Sequence, residues 1–144
     1  MTKEERLANA NELIKLIAEL GRKFFNYNNY VEKNGTISHF KLKNNRIYFV
    51  DGYTKKEMYA YDNNHRLFKR YFSEGGTLEA LVLDLSEYIR TGKPTNSKHG
   101  YGGVYCPHWG YPDKDMEKIR EKAIAIGFSE SRSDDYKNHS YIYS

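Results

Sequence analysis

The stretch HGYGGVYCPHWGYP, residues 99 to 112, gathers several side chains that could do chemistry. It holds the only cysteine and the only tryptophan of the chain, with a histidine on each side of the cysteine. His99 precedes Cys106, and His108 follows it after a single proline. A thiolate and imidazoles can bind zinc, and a thiol beside an imidazole can act as a nucleophile.

Both chemistries need more than this stretch offers. Structural zinc takes four ligands, usually as two spaced pairs, and no second cysteine exists to complete a pair here. None of the signatures that surround nucleophilic cysteines is present, and a lone cysteine usually packs as a small hydrophobe. The sequence therefore predicts no metal and no cofactor. A small metal protein or enzyme centred on His99, Cys106 and His108 stays as an alternative.

Aromatic side chains give the same stretch a second interpretation. Tyrosine and tryptophan provide large contact areas at low entropy cost, so they suit the centre of an interface. They suit the edge of a hydrophobic core equally well, and both placements stay open. The candidate contact residues of this stretch are Tyr101, Tyr105, Trp109 and Tyr111.

Residues 36 to 72 combine positive charge with aromatic rings. Eight Lys or Arg stand against three Asp or Glu, a net charge of +5, and nine aromatic residues lie among them. Many proteins hold single-stranded nucleic acid on a sheet face where cations meet phosphates and rings stack on bases. An ordinary solvated sheet face, or a site that sequesters a small anion such as a nucleotide, would look similar. The candidate binding residues here are Lys41, Lys43, Arg46, Tyr48, Tyr59, Tyr61 and Arg66.

The hydrophobic pattern predicts the elements that position these residues. Apolar residues at helical spacing indicate a helix over 4–25, and alternation in ISHFKLK, RIYFVD, EMYAYD and RLFKRYF indicates four antiparallel strands over 36–72. Asn44-Asn45, Asp51-Gly52 and Asn63-Asn64 are the predicted turns. If Phe40, Leu42, Ile47 and Phe49 face the core, alternation directs Lys41, Lys43, Arg46 and Tyr48 outward.

Two more helices follow the predicted sheet. Thr77 and Gly92 bound a helix at 78–91, and Pro112 and Gly127 bound a helix at 113–126. The connection over 93–112 is long, and HSYIYS at the end can add a short last strand. We expect an α+β fold in which two C-terminal helices pack on a four-stranded meander. The whole chain, 1–144, is expected to form a single domain, with its helical half over 77–128. The helix at 1–25 either packs on this domain or protrudes to dock on a partner or a second copy.

Composition sets the broad class. The chain has 144 residues and a net charge of +4, which permits contact with nucleic acid without requiring it. The single cysteine, the absence of an apolar leader and the absence of a long apolar run predict a cytoplasmic protein that does not enter membranes. The oligomeric state stays open, with a homodimer among the alternatives.

Two segments carry a resemblance to known proteins. GGTLEALVLDLSEYIRTGKP, at 75–94, and GYPDKDMEKIREKAIAIGF, at 110–128, resemble a segment of small proteins of phages and other mobile elements. The resemblance covers about a third of the chain and brings no catalytic residues. It implies an accessory factor, and many such factors, anti-CRISPR proteins among them, inhibit host defence by occupying a nuclease or its nucleic-acid channel.

Together, these observations predict a non-enzymatic binding protein that inhibits a host defence system. Its expected partner is a defence protein or nucleoprotein complex, with nucleic acid as part of the contact. The two alternatives are a protein that sequesters a small anion or nucleotide and the Cys/His protein described above.

Overall fold

A computed structural model describes residues 1–20, 37–52, 55–60, 76–96, 103–105, 109 and 111–130. The chain divides into two compact units, Met1–Ser73 and Glu74–Ser144. The single domain over 1–144 that the sequence indicates stays a prediction.

The first unit begins with helix α1, Lys3–Glu19. Its N-terminus is closed by a capping box, in which the Thr2 hydroxyl accepts from the Glu5 N–H and the Glu5 carboxylate accepts from the Thr2 N–H. The hydrogen bond from the Thr2 backbone lowers the pKa of Glu5. One face of the helix is buried, as its apolar periodicity predicts. The buried residues are Ala10, Leu13, Ile14, Ile17 and Ala18.

A three-stranded antiparallel sheet follows, with β1 His39–Lys43, β2 Arg46–Val50 and β3 Glu57–Tyr59 in the order β1-β2-β3. The β1–β2 turn uses the predicted pair Asn44 and Asn45, whose φ angles of 53° and 63° fit a tight hairpin. These strands confirm three of the four predicted ones. The fourth, RLFKRYF, and the C-terminal HSYIYS lie outside the described residues.

Helix α1 packs against β1. The Asn11 side chain accepts from the Phe40 N–H at 2.7 Å and donates to the Phe40 carbonyl at 2.9 Å. The Phe40 ring lies 5.1 Å from the Phe49 ring, and both are almost fully buried. One face of the sheet is therefore fixed in the core, which leaves the alternate residues of each strand for the opposite face.

The second unit contains α2, Gly76–Thr91, and α3, Asp113–Ala125, with a short 3-10 helix at Gly103–Tyr105 that contacts both. Gly92 and Gly127 have φ angles of 77° and 85°, so both predicted helix ends are confirmed. Tyr88 packs edge-on against Phe128 and donates its hydroxyl hydrogen to the Ile126 carbonyl. The expected packing of the two helices on the sheet stays a prediction.

No helix in the described ranges has both the length and the apolar content needed to span a membrane.

Candidate nucleic-acid interface

The predicted alternation of the strands is confirmed for the described part of the sheet. The side chains of Phe40, Ile47, Phe49 and Met58 are buried, and Leu42, on the same face, is half-buried. The residues that alternate with them along the strands are partly or fully exposed. We call the more exposed side the outer face. The outer face consists of His39, Lys41, Lys43, Arg46, Tyr48, Val50, Glu57 and Tyr59.

Two tyrosines lie side by side on the outer face. Tyr48 on β2 is directly opposite Tyr59 on β3, and their ring centroids are 5.6 Å apart with planes tilted by 43°. Both rings are partly exposed, and Lys41 on β1 is opposite Tyr48 on the other side. The register thus produces a row across all three strands, with one cation and two aromatic rings.

Each ring has a cation beside it. The Lys43 ammonium lies 5.8 Å from the centroid of Tyr48, and the Arg46 guanidinium lies 5.6 Å from the centroid of Tyr59. Lys43 and Arg46 face each other across the tight turn. The turn therefore brings two positive charges to one end of the aromatic pair.

A carboxylate completes the outer face. Glu57 accepts a hydrogen bond from Lys41 at 2.7 Å, and its other oxygen lies 3.9 Å from the Lys43 ammonium. The hydrogen bond from Lys41, followed by the nearby positive charges, lowers the pKa of Glu57. The outer face thus holds three cations and one anion, in addition to His39.

The sequence did not indicate a role for Glu57. Its place beside Lys41 depends on the β2–β3 register, in which Val50 pairs with Glu57. The connection from Asp51 to Lys56 sets that register through two hydrogen bonds and a positive φ of 65° at Lys55. A Lys at a left-handed position is unusual, so the Asp51-Gly52 pair alone could not reveal the length of this connection.

Two candidate contact residues of the stretch over 99–112 are buried in the structure. Trp109 and Tyr111 are only 3% and 8% exposed, and the Trp109 indole N–H donates to the Gly103 carbonyl at 2.9 Å. These two side chains therefore belong to the core of the second unit, and their assignment as contact residues is corrected. The other candidates whose side chains lie outside the described residues are Tyr61, Arg66, His99, Tyr101, Tyr105, Cys106 and His108.

The described ranges bring no three His, Cys, Asp or Glu side chains together as a metal site. The outer face can instead offer two ring surfaces to unpaired bases and exposed cations to phosphates. Exposed cation–π contacts are worth only about 0.5–1 kcal/mol each, so Lys43 and Arg46 can exchange a ring for a phosphate at little cost.

Comparison with known proteins places the whole of this arrangement in one family. The sequence model of the family described as YoqU matches residues 1–142, which include nearly all of both units and every residue of the outer face. The chain belongs to the YoqU family. Across 127 residues it is 33% identical to a protein of Bacillus subtilis (strain 168) named "SPbeta prophage-derived uncharacterized protein YoqU", covering 88% of this chain and 85% of that protein. The expected likeness to proteins of phage origin is thus confirmed for this YoqU relative. No solved structure matches the chain.

Proposed function

We propose that the chain is a non-enzymatic prophage accessory protein that binds single-stranded nucleic acid on its outer face. By this contact it inhibits a host defence system that works through a nucleoprotein complex. The observation that carries the proposal is the pair of partly exposed rings, Tyr48 and Tyr59, with Lys43 and Arg46 beside them.

The chemistry of a single strand fits this arrangement. Unpaired bases can stack on aromatic rings, a contact worth about 1–3 kcal/mol per base, whereas the bases of a duplex are stacked on one another. The cations lie within 6 Å of the ring centroids. They can therefore follow the phosphates that accompany stacked bases.

Family membership supports the biological half of the proposal. The relative's printed name assigns it to a prophage, and the match covers most of both chains. Inhibition of host defence is a common role of small accessory proteins of this origin, and a protein without a catalytic centre can inhibit by occupying a nucleic-acid site.

Binding is tested by fluorescence anisotropy with labelled oligothymidine and oligouridine. We expect binding at low salt that weakens steeply as salt rises, because each phosphate contact releases bound counterions. Tyr48→Ala should weaken binding about ten-fold through lost stacking, while Tyr48→Phe should bind nearly as well. Failure of the wild-type protein to bind either oligonucleotide at low salt would contradict the proposal.

A charge-matched pair of variants separates the outer face from general attraction. Lys43→Gln/Arg46→Gln and Lys114→Gln/Lys118→Gln each remove two positive charges, the second pair from exposed positions of α3. We expect the first variant to bind at least ten-fold more weakly and the second to bind within about two-fold of wild type. Equal weakening would mean that net charge, and not the outer face, holds the strand.

The inhibitory role has its own test. Cells that carry a nuclease-based defence and produce the chain should admit phage at a higher plating efficiency than cells with Tyr48→Ala/Tyr59→Ala. A wild-type chain that binds oligonucleotides but does not change plating on any of a panel of defended strains would confine the proposal to nucleic-acid binding.

A further inference from the structure

The outer face contains a polar pair that stacking and phosphate contacts do not use. Lys41 and Glu57 come from the two outer strands and meet across β2 at 2.7 Å. The pair lies next to the aromatic rings, because Lys41 is opposite Tyr48 and Glu57 is two residues before Tyr59 on the same face. We propose that this pair selects guanine among the bases of a bound single strand, an inference that rests on the proposed nucleic-acid binding.

Lys41 and Glu57 present donors and acceptors next to each other. The Lys41 ammonium has three N–H donors, of which Glu57 takes one. The Glu57 carboxylate has two acceptor oxygens, and the one nearer to Lys43 is still 3.9 Å away, beyond hydrogen-bond distance. A donor and two acceptors therefore lie side by side, with both side chains more than a third exposed.

The Watson–Crick edge of guanine has the complementary order. Its O6 accepts, and its N1–H and N2–H donate, so the ammonium can bind O6 while the carboxylate takes both N–H groups. Adenine and cytosine each offer one donor on this edge, and thymine and uracil place a second carbonyl oxygen where the carboxylate needs a donor. Proteins read unpaired bases through such edge contacts next to stacking rings.

The charge state of the pair suits this task. The hydrogen bond from Lys41 lowers the pKa of Glu57, so the carboxylate stays ionised at neutral pH and remains an acceptor only. Charge-assisted hydrogen bonds to an ionised carboxylate are stronger than those between neutral groups. Removal of the Glu57 carboxylate should therefore abolish the preference while every cation of the outer face stays in place.

The test uses oligothymidine with one central guanine, and the same strand with inosine or adenine at that position. Inosine differs from guanine by the missing 2-amino group alone. We expect the wild-type protein to bind the guanine strand about ten-fold more tightly than the inosine or adenine strand, the discrimination of one good two-point base contact.

Variants assign the preference to the pair. Glu57→Gln should bind unsubstituted oligothymidine at least as well as wild type and lose the guanine preference. Lys41→Gln should reduce the preference as well. Glu12→Gln removes a carboxylate from an exposed position of α1 and should leave the preference unchanged.

The outcomes distinguish this inference from the proposed function. If no strand binds the wild-type protein, the proposed function itself fails. If all strands bind equally, nucleic-acid binding stands and guanine selection is wrong. Wild-type preference that persists in Glu57→Gln would also overturn the assignment, since another group would then be reading the base.

Discussion

The described tyrosine and tryptophan side chains have opposite surroundings in the two units of this chain. In the first unit, Tyr48 and Tyr59 lie partly exposed on a sheet face, beside cations. In the second unit, Tyr88, Trp109 and Tyr111 are at most 8% exposed, and the polar atoms of Tyr88 and Trp109 bind backbone carbonyls. Alternation along the strands brings Tyr48 and Tyr59 to the outer face. In the second unit, hydrogen bonds to backbone carbonyls satisfy the polar atoms of the buried Tyr88 and Trp109.

The difference predicts whether a ring contributes mainly to the free energy of unfolding or to the free energy of binding. A ring in the second unit contributes to the free energy of unfolding through burial. A ring on the outer face contributes little to folding and, in our proposal, much to binding. Four predictions test this comparison.

The largest effect is expected at Trp109. Trp109→Ala leaves a cavity and an unpaired Gly103 carbonyl, so it should lower the free energy of unfolding by about 3–5 kcal/mol. Tyr48→Ala, on the outer face, should lower it by only about 1 kcal/mol. Urea unfolding followed by far-ultraviolet circular dichroism measures both, because the first variant lacks the only tryptophan. Similar losses in the two variants would break the comparison.

The next effect concerns the contact of the Asn11 side chain on α1 with the backbone of β1. Asn11→Ala removes both hydrogen bonds to the Phe40 backbone, and we expect a loss of about 2 kcal/mol in the free energy of unfolding. Glu12→Ala, at the exposed neighbouring position, should change it by less than about 0.5 kcal/mol. The same urea titration measures both variants. If Asn11→Ala were as stable as Glu12→Ala, the packing of α1 on β1 would not depend on this contact.

A smaller effect compares two tyrosine hydroxyls. Tyr88→Phe leaves the buried Ile126 carbonyl without this donor and should lower the free energy of unfolding by about 1–2 kcal/mol. Tyr48→Phe alters a partly exposed position and should stay within about 0.5 kcal/mol of wild type. Thermal unfolding of both variants at one pH measures these losses. A larger loss of stability for Tyr48→Phe than for Tyr88→Phe would contradict the assignment of the buried hydroxyl to folding.

The smallest effect is the pH dependence of Glu57. Because folding lowers the pKa of Glu57, its ion pair with Lys41 stabilises the fold above the pKa of the unfolded chain. That stabilisation is lost as the pH falls through the lowered pKa of the folded state. The difference in Tm between wild type and Glu57→Gln should therefore be small at neutral pH and vanish in acid. Salt at about 1 M should shrink it as well, since the pair is exposed. A difference that grows in acid would have the wrong sign.

Local sequence patterns predicted most of the described elements. Thr2 and the apolar spacing located the start and buried face of α1, and Gly92 and Gly127 located two helix ends. The Asn44-Asn45 pair located the first hairpin, and with it the Lys41–Tyr48 pairing. Each of these signals depends on neighbours within a few residues, which is why it can be read along the chain.

Features that depend on distant contacts were not predictable in the same way. The Tyr48–Tyr59 pair and the Lys41–Glu57 bridge require the register across the Asp51–Lys56 connection, which no short motif specifies. Trp109 is buried and its indole N–H donates to the Gly103 carbonyl, but the sequence pattern shows only that this connection is long and rich in glycine and aromatic residues. The same composition would suit an exposed loop.

The two hydrogen bonds between Asn11 and Phe40 also oppose aggregation of this protein through the edge of its sheet. In a two-residue hairpin the backbone groups of Phe40 point away from β2, toward the edge that β1 forms in the described part of the sheet. An unpaired edge is a template on which the strand of another molecule can add, the first step of many aggregates. The Asn11 amide supplies the donor and acceptor that such a strand would bring, so a helix side chain takes the position of a further strand. Growth of the sheet past β1 would first have to displace α1.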